Sequence, residues 1–87
     1  MRWVFHRDFE RQFKRLRRNE QKRVEERLVL FSLDAFNPVL NNHPLHGKYA
    51  GYRSINIAGD LRALYKLQKA DLCIFVKIGM HGTLYRS

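Results

Sequence analysis

The chain has 87 residues, of which 45% are hydrophobic, and its 17 lysines and arginines against 8 aspartates and glutamates give a net charge of +9. This length suits a single domain over residues 1–87, and the hydrophobic share argues against a disordered chain. No apolar run approaches the ~20 residues that cross a bilayer, so we expect no membrane partner.

Charge and cysteine content indicate the kind of partner and the compartment. A charge of +9 on so small a body attracts polyanions, either a nucleic acid or an acidic protein. The opening stretch MRWVFHRDFERQFKR lacks the apolar core of a secretory signal, and Cys73 alone cannot form an internal disulfide. Both features favour a cytoplasmic location.

The first half of the chain predicts one strand followed by two helices. Residues 1–5 are rich in aromatic and β-branched side chains, as is typical of a strand. His6 or Asp8 can cap the first helix, and Asn19 is a candidate N-cap for the second. Apolar residues recur at helical spacing in both: Phe9, Phe13 and Leu16, then Val24, Leu28 and Phe31.

The second half predicts three strands after an irregular segment at 34–50. From position 52 the apolar period is two residues, and the turn stretches AGDL and QKAD separate strands at 52–58, 61–67 and 72–78. The predicted fold class is α+β, with an N-terminal strand, a two-helix hairpin and a three-stranded antiparallel meander. The helices would pack on one face of a four-stranded sheet and leave the other face open for a ligand.

Two kinds of site are disfavoured by the sequence. His43 and His46 are three residues apart, but no cysteine or carboxylate stands at a matching spacing, and a zinc site needs three or four ligands. No metal and no other cofactor is therefore expected. Cys73 lies in the most apolar strand, where a cysteine is usually an inert packing residue rather than a nucleophile.

The polar residues suit metal-independent cleavage of RNA by its own 2′-OH. That reaction needs a base for the hydroxyl, an acid for the leaving 5′-oxygen and cations for the charge on the phosphorane. Histidine can fill either proton-transfer role. The candidates for these parts are His43, His46, His81, Asp60, Arg53 and Arg62.

Each of these residues also has a simpler interpretation at this stage. Tyr49, Tyr52 and Tyr85 could stack on splayed bases, but Tyr52 and Tyr65 are equally candidates for the core. Asp60 could be an ordinary turn residue, and His46 a solvated loop residue. The residue pattern alone leaves these alternatives open.

Three motifs resemble the RelE/ParE toxin superfamily, and most closely its YafQ-like branch. They are HPL-x-G-x-[YW]-x-G-YR, D-x-x-x-x-Y-K and the closing G-x-H-x-x-L-[YF], all within residues 43–85. The N-terminal half matches more weakly, through F-x-[RK]-x-[FL]-K-[RK]-L. The resemblance implies an mRNA interferase that enters the ribosomal A site and is held inactive by a cognate antitoxin.

The resemblance also implies roles for individual residues. His43, Asp60 and His81 match catalytic positions, Tyr85 matches a terminal aromatic, and Arg62 matches a phosphate-stabilising arginine. We expect His81 to be the leading general acid or base, with Asp60 as its partner, while His43 binds the scissile phosphate or shares proton transfer. Asn56 departs from the pattern, since a histidine often stands there, which leaves open whether His46 takes that role.

Further residues are expected to contact RNA or the ribosome without taking part in the chemistry. Phosphate contacts by exposed cations position a protein on RNA without reading its sequence. An antitoxin with an acidic or amphipathic segment could cover the same surface. The expected contacts are Arg53, His46, Lys48, Lys14, Arg15, Arg17 and Arg18.

Two other functions remain as alternatives. ParE-like relatives share the fold and inhibit DNA gyrase, but generally lack the histidine set that this sequence carries. A non-catalytic RNA-binding module would need only the basic charge and the aromatic side chains.

Overall fold

The structure is a computed structural model that describes residues 1–85, which contain five strands and three α-helices. Along the chain these are β1 (Arg2–Phe5), α1 (Arg7–Lys14), α2 (Arg18–Leu33), β2 (His43–Pro44), β3 (Arg53–Ala58), β4 (Leu61–Lys69), β5 (Leu72–Met80) and α3 (His81–Leu84). Within these residues no helix is long and apolar enough to cross a membrane.

The strands form one mixed sheet in the order β1-β5-β4-β3-β2. β1 runs parallel to β5, and β3, β4 and β5 form the predicted antiparallel meander. The α+β prediction is confirmed, but the expected count of four strands is wrong. The fifth strand, β2, pairs His43 with Ser54 and Pro44 with Arg53. It escaped prediction because two residues carry no periodicity, and a proline is tolerated there only because the strand lies at an edge.

Two local expectations for the helices and the connecting segment need correction. α2 begins at Arg18 with Arg17 as its N-cap, not Asn19, and the Glu20 carboxylate accepts a hydrogen bond from the Arg17 backbone N–H at 2.9 Å. Residues 34–50 are not wholly irregular, since they contain β2 and two 3₁₀ turns, Pro38–Leu40 and Gly47–Tyr49. At the start of α1, His6 is the cap, because its Nδ1 accepts from the Asp8 backbone N–H.

The main core lies between the helices and one face of the sheet. Phe31 of α2 is fully buried, and its ring contacts Tyr65 and Phe75 at centroid distances of 5.0 and 5.4 Å. Cys73 is also fully buried, and burial raises the pKa of its thiol to about 11. The thiol therefore stays protonated at neutral pH, as expected of a packing residue.

The opposite face of the sheet, which we call the open face, carries the polar side chains. On β4, Arg62, Leu64 and Lys66 alternate with the core residues Ala63 and Tyr65, because side chains on a strand point to opposite faces. The short helix α3 folds over this face. Its Leu84 side chain lies against the backbone of β5 at Gly79, where an added Cβ would be in ordinary van der Waals contact with it at 3.4 Å.

Candidate active site

A cleft of about 420 Å³ opens on the open face between the β2–β3 hairpin, β4 and α3. It brings together five of the residues singled out in the sequence, from three separate segments of the chain. They are His43, His46, Arg62, His81 and Tyr85. Asn41, Leu45 and Ser54 complete the lining.

The hydrogen bond of His43 determines which of its ring nitrogens is basic. His43 Nδ1 lies 2.8 Å from the backbone carbonyl oxygen of Asn41. A carbonyl oxygen only accepts, so Nδ1 must carry the proton, and in the neutral ring the lone pair is then on Nε2. Asn41 has a positive φ of 44°, a conformation that asparagine tolerates better than most residues. This turn gives His43 a fixed tautomer with a basic Nε2.

Arg62 is anchored on the β3–β4 turn. Its Nη1 donates a 2.6 Å hydrogen bond to the carbonyl oxygen of Gly59, which has a positive φ of 50° that suits glycine. The guanidinium has five N–H donors in a fixed planar fork, so one nitrogen can be held by the turn while others face a ligand. Arg62 therefore supplies a half-buried positive charge to the cleft wall.

His81 and Asp60 are connected through the backbone. The His81 N–H donates to the Asp60 carbonyl oxygen at 2.8 Å, which fixes the start of α3 beside the β3–β4 turn. Both side chains are exposed, and the His81 ring packs on Tyr85 at a centroid distance of 4.7 Å. Asp60 thus lies next to the cleft without lining it.

Two polar side chains of β3, Ser54 and Asn56, project to the open face, as the period-two pattern around Ile55 indicates. Ser54 lines the cleft, whereas Asn56 is paired with Arg62 across the sheet and is not among the lining residues. Among residues 1–85, Ser54 Oγ and Asn56 Oδ1 are buried side-chain atoms with no protein hydrogen-bond partner.

Arg53, expected to contact RNA, lies on the other face of the sheet. It shares that face with the core residue Ile55, and its Nε donates to Asn42 Oδ1 at 2.8 Å. Its guanidinium also lies over the ring of Phe36, at 5.3 Å from the centroid. The structure therefore places Arg53 in a packing network away from the cleft.

Asn42 is the centre of that network, a role that no sequence motif indicated. Its Nδ2 donates to the Tyr65 hydroxyl and to the Ala35 carbonyl oxygen, both at 2.9 Å. Desolvation by burial raises the pKa of Tyr65, so its hydroxyl stays protonated. Because Asn42 directly precedes His43, these hydrogen bonds tie the position of the histidine to the core.

Replacing Asn42 with alanine is expected to lower the free energy of unfolding by about 1–3 kcal/mol, since it removes the half-buried side-chain hydrogen bonds to Arg53 Nε and to the Tyr65 hydroxyl. Asn19→Ala, an exposed asparagine on α2, is the matched control and should change stability by no more than about 0.5 kcal/mol. Urea unfolding measures both. NMR signals of the His43 ring should shift only in Asn42→Ala, and unchanged signals would reject a positioning role for Asn42.

The remaining expected contact residues lie outside the cleft. Lys48 is exposed on the 3₁₀ turn before β3, with its Nζ 5.3 Å from the Tyr49 ring centroid. A group of exposed cations lies at the end of α1 and the start of α2, and we call it the helix cluster. It consists of Lys14, Arg15, Arg17 and Arg18. Among residues 1–85 no group of three or more His, Cys, Asp or Glu side chains is placed to hold a metal ion.

Sequence comparison gives a family for almost the whole chain. Residues 1–86 match the model of a family described as "Bacterial toxin of type II toxin-antitoxin system, YafQ". Comparison with curated protein sequences gives no match.

Solved structures confirm the expected RelE-like fold. YafQ from E. coli strain BL21(DE3) is similar with a TM-score of 0.73 and 24% identity, over 99% of this chain and 100% of that one. The YoeB/ParE toxin from Agrobacterium tumefaciens has a TM-score of 0.76 and 18% identity, over 93% of this chain and 99% of that one. A chain of the E. coli DinJ-YafQ complex has a TM-score of 0.70 and 25% identity, over 99% of this chain and 100% of that one.

Proposed function

We propose that this chain, which belongs to the YafQ family of bacterial toxins of type II toxin–antitoxin systems, is an endoribonuclease that cleaves messenger RNA on the ribosome. The observation that carries the proposal is the meeting of two histidines and an arginine, His43, His81 and Arg62, in one cleft of the open face. Proton-transfer groups beside a fixed cation are what cleavage of RNA by its own 2′-OH requires.

The reaction would proceed by in-line displacement at phosphorus. A base removes the 2′-OH proton, the 2′-oxygen bonds to phosphorus, and the P–O5′ bond breaks as an acid protonates the leaving oxygen. The products are a 2′,3′-cyclic phosphate and a free 5′-hydroxyl. His43, with its basic Nε2, suits the first transfer, and the exposed His81 suits the second. Asp60, which holds the start of α3 through its backbone carbonyl oxygen, would be the orienting or proton-transfer partner of His81.

Two further parts of the cleft would bind the substrate. Arg62 would neutralise charge on the phosphorane, where a fixed cation is more effective than water because it needs no reorganisation. Tyr85 would stack on a base beside the cleaved bond. A neighbouring ring supports Tyr85: Tyr49 lies at a centroid distance of 5.8 Å, and its hydroxyl donates to the Leu84 carbonyl oxygen at 3.1 Å.

The proposed partners follow from family and charge. The E. coli DinJ-YafQ complex, at 25% identity, supports a cognate antitoxin as a partner of this chain. The helix cluster would contact ribosomal RNA through phosphates, since its cations are exposed and lie away from the cleft. His46, exposed on the rim, would contact the message. These roles place the proposed activity in the cytoplasm, where messages are translated.

Primer extension on a translated message tests the proposed function. The purified protein is added to a translation reaction, and new 5′ ends are expected within the reading frame of the ribosome-bound message. In parallel, DNA supercoiling by gyrase is measured with the same protein. Inhibited supercoiling with an intact message would replace the proposal by gyrase inhibition, and RNA bound but uncut would replace it by a non-catalytic RNA-binding module.

A further inference from the structure

A second cleft of about 390 Å³ lies beside the candidate active site. Tyr49, Tyr52 and Lys66 stand in the family motifs, but the chemistry described above gives this cleft no role. It lies on the open face, toward the N-terminus of α1. We call it the lysine–tyrosine cleft. The side chains that characterise it are Lys48, Lys66, Lys77, Tyr49, Tyr52 and Asp8.

The two clefts lie side by side along β4, and an aromatic ring of one contacts an aromatic ring of the other. Arg62 lines the first cleft and Lys66 the second, and they project to the same face four residues apart. At about 3.3 Å per residue this separates their backbone positions by about 13 Å. Tyr49 of the second cleft contacts Tyr85 of the first, with ring centroids 5.8 Å apart. A chain molecule bound in the first cleft would therefore pass close to the second.

The charge of the lysine–tyrosine cleft is strongly positive. Three lysines line it, and Asp8 is the one carboxylate among the described residues that do. That carboxylate is already in contact with two cations, Arg11 Nη2 at 2.9 Å and Lys77 Nζ at 3.8 Å. An acidic ligand would relieve the repulsion among the ammonium groups, which makes a polyanion the expected occupant.

The tyrosines distinguish a nucleic acid from other polyanions. The Tyr52 ring lies 6.0 Å from that of Tyr49, and Lys66 Nζ lies 5.4 Å from the Tyr52 ring centroid. Cations that follow a backbone, combined with rings that receive bases, are the usual composition of a groove for single-stranded RNA. An acidic peptide would use the lysines but has no requirement for the rings.

We propose that the lysine–tyrosine cleft binds the messenger strand on one side of the cleaved bond. Lys66 and Lys77 contact phosphates other than the scissile one, and Tyr52 stacks on a base. The inference rests on the proposed function, because it takes RNA to be the occupant of the first cleft.

Binding of a fluorescent ten-nucleotide single-stranded RNA at several salt concentrations tests this inference. Measurements use His81→Ala protein, so that the RNA stays intact, with and without the double substitution Lys66→Gln/Lys77→Gln. Loss of two phosphate contacts should weaken binding and reduce the slope of log K against log[salt] by about 1.4, at about 0.7 per contact with a single strand. Tyr52→Leu should weaken binding without changing that slope.

The matched control is Lys22→Gln/Lys69→Gln, which removes the same two charges from exposed positions outside both clefts. An equal loss of slope in the control would show an effect of net charge and overturn the inference, as would unchanged binding in the cleft variant. Poly-glutamate that outcompetes RNA in wild type but not in the cleft variant would assign the cleft to an acidic protein instead.

Cleavage of the message by wild-type protein is measured in a separate experiment. If the message stays uncut but the salt slope falls in the cleft variant, the nuclease activity is rejected and the RNA-binding cleft is retained.

Discussion

Replacing His81 with alanine is expected to slow cleavage of ribosome-bound messenger RNA by about 10²–10⁴-fold, the usual contribution of a general acid or base. The histidine is exposed at the start of α3, lines the cleft with His43 and Arg62, and is oriented by the Tyr85 ring. Alanine keeps the backbone N–H that donates to Asp60, so the position of α3 should be preserved while the proton-transfer group is lost. The rate of primer-extension product formation measures the effect.

Two measurements separate a chemical role of His81 from a structural one. Because the side chain is exposed, the thermal unfolding midpoint should stay close to that of wild type. The shape of the pH profile of cleavage should change, since a proton-transfer group is removed. Wild-type cleavage rates in both His81→Ala and Asp60→Asn would show that the proposed acid–base assignment is wrong.

Asp60→Asn and His46→Ala refine the same assignment. Asparagine keeps the backbone carbonyl of residue 60, which accepts from the His81 N–H and holds the start of α3. Any loss of rate is therefore due to the missing carboxylate. His46 is exposed and lines the same cleft. A loss with His46→Ala as large as that with His81→Ala would give His46 the first proton transfer, from the 2′-OH, in place of His43.

The parts of the fold that the sequence predicted are those set by local periodicity. The apolar stripe of α2 was predicted at Val24, Leu28 and Phe31, and all three are buried. The strands of the meander followed from the change to a period of two. Buried side chains recur every three or four residues in a helix and every two residues in a strand, and both spacings can be read directly from the sequence.

The errors arise where position depends on distant contacts. The role of Asn42 is defined by hydrogen bonds to Arg53 and Tyr65, 11 and 23 residues away, and a loop asparagine gives no local sign of them. Arg53 shows the same dependence. As the arginine of the HPL-x-G-x-[YW]-x-G-YR motif it suggested a ligand contact, whereas in the structure it lies on the face of Ile55 with its guanidinium over the Phe36 ring. Its contact with RNA stays a prediction.

The candidate site also combines features that the local sequence shows with features that depend on distant contacts. The residue types for RNA cleavage were readable from the sequence, because they depend on chemistry alone. Their meeting was expected only through the family resemblance, since His43, Arg62 and His81 come from an edge strand, a central strand and a terminal helix. The lysine–tyrosine cleft was also missed, because Lys48, Lys66 and Lys77 are far apart along the chain.

Replacing Phe31 with alanine should lower the free energy of unfolding by about 3–5 kcal/mol, the usual cost of removing a buried aromatic ring. Phe31 is fully buried, and its ring contacts Trp3, Tyr65 and Phe75 from three different strands. A domain of this size has little stability to lose, and each kcal/mol shifts the midpoint by about 4–8 °C. Urea unfolding is compared with Leu33→Ala, a neighbour on α2 that is 80% exposed and should change stability by no more than about 0.5 kcal/mol.

Phe31→Leu keeps the test informative if the alanine variant does not fold, because leucine fills part of the space and should give a smaller loss. Stability equal to that of Leu33→Ala in both Phe31 variants would show that the ring cluster is not the core. Phe31 lies on the far side of the sheet from His43, Arg62 and His81, so the folded fraction of Phe31→Leu should cleave at close to the wild-type rate. A loss of rate without a loss of stability would instead place Phe31 among the residues that position the cleft, through Tyr65 and its hydrogen bond to Asn42.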